Sequence, residues 1–376
     1  MKKGLFGGTM KVLSIIDSFK GTLTSNELGQ IATEVFSEKG FDASYYPISD
    51  GGDGFLDCIE KVKKCKKVFI TIKGPLYKNS KSYYLIDEDE IVYIETAKCS
   101  GLNMVNKNRR NPLVSSTHGL GQMIKHAITS NYKTIYVGLG GSATNDAGAG
   151  MLEALGLKFR DKDNKIIKNI NPMKLKLVES IEDQTLKELT KDIKFIILSD
   201  VTNPLLGLSG ASYIFSPQKG ATQEMVVKLE HILDKFSQKI VDWAGIDERM
   251  TLGSGAAGGL GYAFLTFLNC EYKKGIDSIL EIINFKNLSK EFDYIVTGEG
   301  KIDKQSLGGK VIQGVLEHNA HAKIVLVSAI NQLSRSDLSR YEIHKLYSIV
   351  DDITDELNSR KNPHKYFREL CERIEF

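Results

Sequence analysis

The residues best suited to chemistry in this chain of 376 residues fall in short segments rich in glycine and acid. Asp50 and Asp53 sit in SDGGDG, Asp200 in SDVTNP, and Glu299 and Asp303 in TGEGKID. Carboxylates of this kind hold Mg²⁺ through oxygen ligands, or orient a hydroxyl and accept its proton. Each can also cap a helix, a role that suits Asp53 and Asp303 well. Capping explains three glycine-flanked clusters less easily than a shared site does. Lys20, three residues after Asp17 in DSFKG, and Lys219, in FSPQKGA, are cations for a migrating phosphoryl group or ordinary surface lysines. Arg109 and Arg110 can clamp a carboxylate with a bidentate fork or lie in an exposed loop.

Two glycine-rich segments add backbone donors. Residues 138–150 read GLGGSATNDAGAG, with Ser142 and Thr144 ahead of a helix. Such a turn cradles phosphate, because its N–H groups and the helix dipole both favour an anion. It can equally be a tight strand–helix turn that needs positive φ. The Asn145–Asp146 pair favours the cradle, since a turn alone requires no carboxamide beside a carboxylate. Residues 253–261 read GSGAAGGLG and match G-x-G-x-x-G, which marks a dinucleotide site only after a strand. The preceding GIDERMTL is a poor strand, and Gly138, Gly140 and Ala143 give only a second loose match. Close helix packing or a mononucleotide phosphate loop suits this segment better. There is no G-x-x-x-x-G-K-[ST], H-R-D or D-F-G, which excludes the P-loop and protein-kinase classes.

Composition narrows the rest. The net charge is +3, from 50 basic and 47 acidic residues without a long basic stripe, so no nucleic-acid partner is expected. The five cysteines are irregularly spaced and form no C-x-x-C, which points to a reducing, cytoplasmic setting. His318 and His321 are expected on one helical face as a solvated pair. The apolar run Ala256 to Leu268 is too short to span a membrane. The opening MKKGLFGGT lacks the apolar region of a secretory signal and is set aside as an upstream start or added segment.

The elements that must carry these residues alternate. Val12 to Ile16 reads as a buried parallel strand, and Ser25 is expected to cap the helix that buries Leu28, Ile31, Ala32 and Val35. A second strand, ASYYPI, precedes SDGGDG. The runs VFITIKG, SYYLID and IVYIET lack intervening helices and read as an antiparallel patch. A helix (Thr117 to Thr129), the strands TIYVGLG and IKFIILSD, and an amphipathic helix (Thr222 to Trp243) follow. After Phe285 the strands FDYIVTG and AKIVLVSAI, separated by a helix after Asp303, complete the sheet begun at the N-terminus. The expected organisation is two α/β domains: residues 10–66 with 285–376 form a discontinuous Rossmann- or flavodoxin-like domain. Residues 67–284 form an inserted domain with a mixed sheet.

In order, DSFKGTL, PISDGGDG, VGLGGSATNDAGAGMLEALG, SDVTNPLLGLSGASYIFSPQKGA, GSGAAGGLG and VTGEGKIDKQS closely resemble the bacterial glycerate kinase type I family, from about Met10 to at least Ala329. The resemblance implies ATP- and Mg²⁺-dependent phosphorylation of D-glycerate in a cleft between two α/β domains. The acceptor is the 2-hydroxyl in many members and the 3-hydroxyl under an older description. Four positions depart from the family's usual residues: Phe55 for threonine, Leu120 in GLG for the threonine of GTG, Ala147 for glycine and Lys301 for arginine. The last keeps a charge but loses a bidentate fork.

On this reading Asp200, or else Asp50, orients the hydroxyl, while Lys20 and Lys219 neutralise the phosphoryl group. Ser18, Gly140, Gly141, Ser142, Thr144, Asn145, Asn203, Gly255 and Gly298 contact substrate or phosphate, and Arg109 meets the glycerate carboxylate. Asp200, Glu299 and Asp303 hold Mg²⁺. The rivals are a nicotinamide-dependent dehydrogenase, resting only on the glycine patterns, and a catalytically silent binding or regulatory protein. The acidic set is complete, which favours an enzyme with ATP and D-glycerate as its small-molecule partners. Its oligomeric state is left open.

Overall fold

Thirteen strands follow one another among the described residues: β1 (Lys11–Ile16), β2 (Asp42–Tyr45), β3 (Cys65–Lys73), β4 (Asn79–Asp87), β5 (Ile91–Glu95), β6 (Thr134–Gly138), β7 (Lys158–Arg160), β8 (Ser180–Glu182), β9 (Lys194–Leu198), β10 (Cys270–Lys273), β11 (Tyr294–Ile302), β12 (Lys323–Asn331) and β13 (Ile343–Ser348). The structure is a computed structural model that describes residues 9–303, 306, 311–338 and 341–376. Eight residues of the opening MKKGLFGGT, and Lys304 and Gln305 of the last acidic motif, lie outside the described residues. The chain divides into two units. One takes the described residues up to Asp50, Asp57–Lys63 and those from Lys274 onward; the other takes Gly51–Leu56 and Lys64–Lys273.

The first unit is built on a sheet of order β13-β12-β11-β1-β2, parallel throughout. Val12, Leu13, Ile15 and Ile16 of β1 are all buried, as a parallel strand covered on both faces requires. β1 pairs with β11, some 280 residues later, from Val12↔Tyr294 to Ile16↔Gly298, so this unit is discontinuous in sequence. Its helix Ser25–Glu38 is capped by Thr24, not Ser25. Thr24 has the extended backbone a cap needs, and its hydroxyl and the Glu27 side chain form a capping box. Ser25 is already helical, and its hydroxyl donates to the Ile16 carbonyl at 2.5 Å and accepts from Ile48 N–H at 2.8 Å. The helix buries Leu28, Ala32, Val35 and Phe36, and Phe367 of the helix Pro363–Arg373 completes this core against Phe19. The helix Val311–His318 ends where the histidine pair was expected to begin, so His321 lies outside it; His318 Nδ1 instead meets the Gly314 carbonyl at 2.9 Å.

The second unit carries a sheet of order β10-β9-β6-β5-β4-β3. β5, β6, β9 and β10 are parallel, while β4 is antiparallel to both β3 and β5. The sheet is therefore mixed, and β7 and β8 form a separate hairpin. The helix Gln223–Ala244 buries Val226, Leu229, Ile232, Leu233, Phe236 and Ile240 at helical spacing and stops at Gly245 in the left-handed region. No described helix is long and apolar enough to cross a membrane. The packing limits of the two units fall at different residues from the textural limits at 67 and 284. Gly51 and Gly52 pack against the Gly138–Gly140 backbone of the second unit, and Ile276 packs on Gly314 of the first.

Candidate active site

In the first unit, chain order places a site. The chain passes from β1 to β2 on one side, then returns to lay β11, β12 and β13 on the other. The carboxyl ends of β1 and β11 are thus the switch point of the sheet, where open α/β folds bind ligands. Asp17 follows β1 there, with its N–H donating to the Gly298 carbonyl of β11 at 2.8 Å. Asp17 is 7% exposed, and its carboxylate accepts from Ser18 N–H at 2.7 Å. Burial, with the Asp50 charge second, raises its pKa to about 7; Lys20 and the Ser18 amide pull it down and Glu299 pushes it up. Asp17 is a candidate site residue that sequence reasoning did not single out. Its position one residue beyond the buried, mostly apolar strand β1 was the available signal.

Lys20 lies 3.6 Å from Asp50, and both side chains reach solvent. The Ser18 amide is engaged by Asp17. Asp303 closes a turn: its N–H donates to Ser306 Oγ at 3.0 Å and its carboxylate accepts from Ser306 N–H at 3.3 Å, while the next described helix begins only at Val311. A Cβ on Gly298 would lie 1.8 Å from the Val327 carbonyl, so strand packing alone requires glycine there.

In the second unit the two glycine-rich segments pack on each other, and the first also packs on Gly51–Asp53. Cβ atoms on Gly138 and Gly140 would lie 2.3 Å from Gly51 O and Gly52 Cα; one on Gly141, at φ +61°, would lie 2.3 Å from an Asp53 carboxylate oxygen. The 138–150 loop is tied on its other side by Leu102 N–H to Gly141 O and Ala143 N–H to Ser100 O, both 2.8 Å. Ala147 holds φ +50°, and its N–H donates to Gly258 O at 3.1 Å. Ala257, Gly258 and Gly259 are consecutive left-handed residues, and a Cβ on Gly258 would meet Thr144 O at 2.0 Å. No strand leads into this segment, which excludes the dinucleotide fingerprint. The Gly255 amide donates to Asn203 O at 2.9 Å, and a Cβ there would lie 2.2 Å from Pro204 O. Gly255 therefore has a packing role, with its donor committed to protein. Asn203 Nδ2 holds Ser209 O at 2.7 Å.

One buried carboxylate sits within the loop and one buried lysine braces it from a separate turn. Asp146, fully enclosed, accepts from Thr117 N–H and Oγ1 (2.8 and 2.9 Å), Gly150 N–H (3.2 Å) and Gly148 N–H (3.3 Å). Burial raises its pKa against these donors. Lys219 is 2% exposed; its ammonium donates to Ser142 Oγ at 3.0 Å and Thr144 O at 2.7 Å. Burial lowers its pKa to about 7, with Asp146 opposing. It is thus a buried brace of the loop, not a surface cation. Asn145 Nδ2 donates to Ser212 Oγ at 3.2 Å, whereas Asn145 Oδ1 and Thr144 Oγ1 are buried without a hydrogen-bond partner.

Asp200 follows β9, partly buried, and its charge helps to raise the pKa of Tyr272 to about 12, behind the larger effect of burial. Arg109 is exposed on a short 3₁₀ turn and lines a depression with Tyr77, Arg110 and Asn111. Arg110 instead reaches back to the Leu102 and Val105 carbonyls. Among the described residues no three acidic, His or Cys side chains converge as a ready-made metal site.

A parallel-sheet switch point lined by carboxylates, and a glycine loop stiffened by a buried lysine, belong to an α/β enzyme that handles phosphate. The sequence profile of the glycerate kinase family matches residues 12–375. A glycerate kinase of Bacillus subtilis (strain 168) is 34% identical over 348 residues, covering 91% of this chain and 90% of its own. A glycerate 2-kinase of Escherichia coli (strain K12) is 37% identical over 309 residues, 81% of each chain. A crystal structure from Salmonella typhimurium LT2, assigned as a glycerate kinase 2, superposes with a TM-score of 0.77 at 29% identity over 97% of both chains. The chain belongs to the glycerate kinase family.

Proposed function

We propose that this kinase transfers the γ-phosphoryl group of ATP to the 2-hydroxyl of D-glycerate, with Mg²⁺ neutralising the phosphates. The observation that carries the position is the similarity to the Escherichia coli glycerate 2-kinase over 81% of the chain. The braced loop at 138–150 supports the phosphate-handling part. In this reading Gly140, Gly141, Ser142, Thr144 and Asn145 form the cradle, and Arg109 offers the exposed fork that suits the glycerate carboxylate. Asp200 orients the acceptor hydroxyl and accepts its proton, with Asp50 the second choice. Glu299, Asp303 and Asp200 are the carboxylates available to Mg²⁺, which when bound spreads the charge of the transferring group. Lys20, solvent-exposed and 3.6 Å from Asp50, is the cation that would neutralise the migrating phosphoryl group. Five free thiols suit a reducing, cytoplasmic setting.

The test is ³¹P NMR of the protein with D-glycerate and MgATP, beside a tube without glycerate. A phosphomonoester coupled to the single carbon-2 proton is expected. Coupling to two protons would assign the 3-hydroxyl instead. Untouched ATP with folded protein would favour a silent binding protein.

A further inference from the structure

We infer that Lys219 is a positioning residue that acts through Ser142: the buried ammonium donates to Ser142 Oγ and so leaves the serine hydroxyl proton as a donor for a phosphate oxygen of the nucleotide. The inference rests on reading residues 138–150 as the phosphate loop. A hydroxyl has one proton and two lone pairs, and an ammonium has donors only. With Lys219 protonated, the 3.0 Å contact has one direction, Lys219 to Ser142, and the serine proton must point elsewhere. The second bond, to Thr144 O at 2.7 Å, fixes the ammonium behind the loop, where it is 2% exposed. Held there, it acts on a ligand through the loop and not by contact.

The surroundings make this placement deliberate. Lys219 ends a 3₁₀ turn closed by Gly220 at φ +93°, and a Cβ at Gly220 would lie 2.6 Å from Arg110 O. Arg110 in turn holds the Leu102 and Val105 carbonyls, and the Leu102 amide holds Gly141 O. The turn presenting Lys219 and the loop presenting Ser142 are thus locked to one frame. Asp146, enclosed in the same loop, supplies a balancing negative charge. Away from water, a hydroxyl polarised by a cation is a stronger donor than an isolated serine, and chains of such bonds reinforce one another.

The test is a double-mutant cycle on the dissociation constant for ATP with magnesium, with kcat for glycerate phosphorylation measured at saturating ATP. Ser142→Ala and Lys219→Met should each weaken ATP binding roughly ten- to hundredfold, the range for a charge-assisted hydrogen bond. The double variant should be no worse than Ser142→Ala alone, and kcat should fall less than affinity. Losses that multiply in the double variant would overturn the coupling while leaving the phosphate-loop reading intact. ATP binding of wild-type strength in Ser142→Ala would instead remove the phosphate-loop reading itself. If Lys219→Met fails to fold, Lys219→Arg serves: its effect on ATP affinity should vanish in the Ser142→Ala background, and persistence there would overturn the proposal.

Discussion

The Asp17 amide donates to the Gly298 carbonyl across the gap between two parallel strands that are neighbours in space and some 280 residues apart in sequence. That bond fixes the Asp17 carboxylate at the sheet's switch point, where burial and the Asp50 charge raise its pKa from 3.8 to about 7. The folded chain then holds this proton more tightly than the unfolded chain does. The associated stability is complete below the unfolded value and is lost as pH rises through about 7. Asp17→Asn, which keeps the acceptor for Ser18 N–H, should therefore melt above the wild type at pH 8 and close to it at pH 4. Melting by circular dichroism in a chelator checks this, and a variant that melts lower at pH 8 would show that the ionised carboxylate is stabilised by its surroundings.

Gly298 and Gly300, two residues apart on β11, should respond differently to the same substitution. A Cβ at Gly298 would lie 1.8 Å from a backbone carbonyl, which cannot give way without moving β12; one at Gly300 would lie 3.1 Å from Phe19 Cα. Gly298→Ala is expected to cost more than about 3 kcal/mol, beyond the usual range for overpacking, or to prevent folding. Gly300→Ala should cost less than about 1.5 kcal/mol. Urea denaturation midpoints decide it, and equal losses would remove strand spacing as the reason for glycine at 298.

Most of the architecture was legible because strand composition reports burial. The mostly apolar run of β1, broken only by Ser14 between Val12 and Ile16, marked a covered parallel strand, and the helix-free stretch from Val68 to Glu95 marked the antiparallel part of the mixed sheet. What the chain did not advertise are relationships across distance in sequence. Lys219 reads as a phosphoryl-facing cation or an ordinary surface lysine, and only tertiary packing encloses it under Ser142 and Thr144. The glycines of the 253–261 segment match a nucleotide pattern by spacing, yet Gly255 and Gly258 are explained by carbonyls of Pro204 and Thr144 against which no side chain fits. The choice between Thr24 and Ser25 as cap turned on one residue's backbone angles, which composition does not carry.

Asp200, two residues beyond the end of β9 and only partly buried, is the carboxylate we propose for the acceptor hydroxyl. Asp200→Asn keeps size and polarity but cannot accept a proton. The expected outcome is a fall in kcat of roughly 10²–10⁴-fold with an unchanged thermal midpoint. A loss below about tenfold, with glycerate KM unaltered, would pass the role to Asp50, whose own variant should then show the larger fall.

Lys219 makes a prediction in which affinity and stability move in opposite directions over one pH range. Burial lowers its ammonium from 10.5 to about 7, against the pull of Asp146. The unfolded chain keeps this proton up to the ordinary lysine value, so the penalty of burying the charge is relieved as pH climbs from about 7 toward 10.5. Stability from this group therefore rises through that window and is lost again as pH falls through about 7. ATP affinity should do the reverse, because the cation behind Ser142 disappears while the phosphates, whose second ionisation is near pH 6, stay fully charged. The KM for ATP of the wild type should climb above pH 7, and that of Lys219→Arg, which stays protonated throughout, should remain flat. A climb of equal size in both proteins would locate the titrating group elsewhere, with Asp17 the next to be replaced.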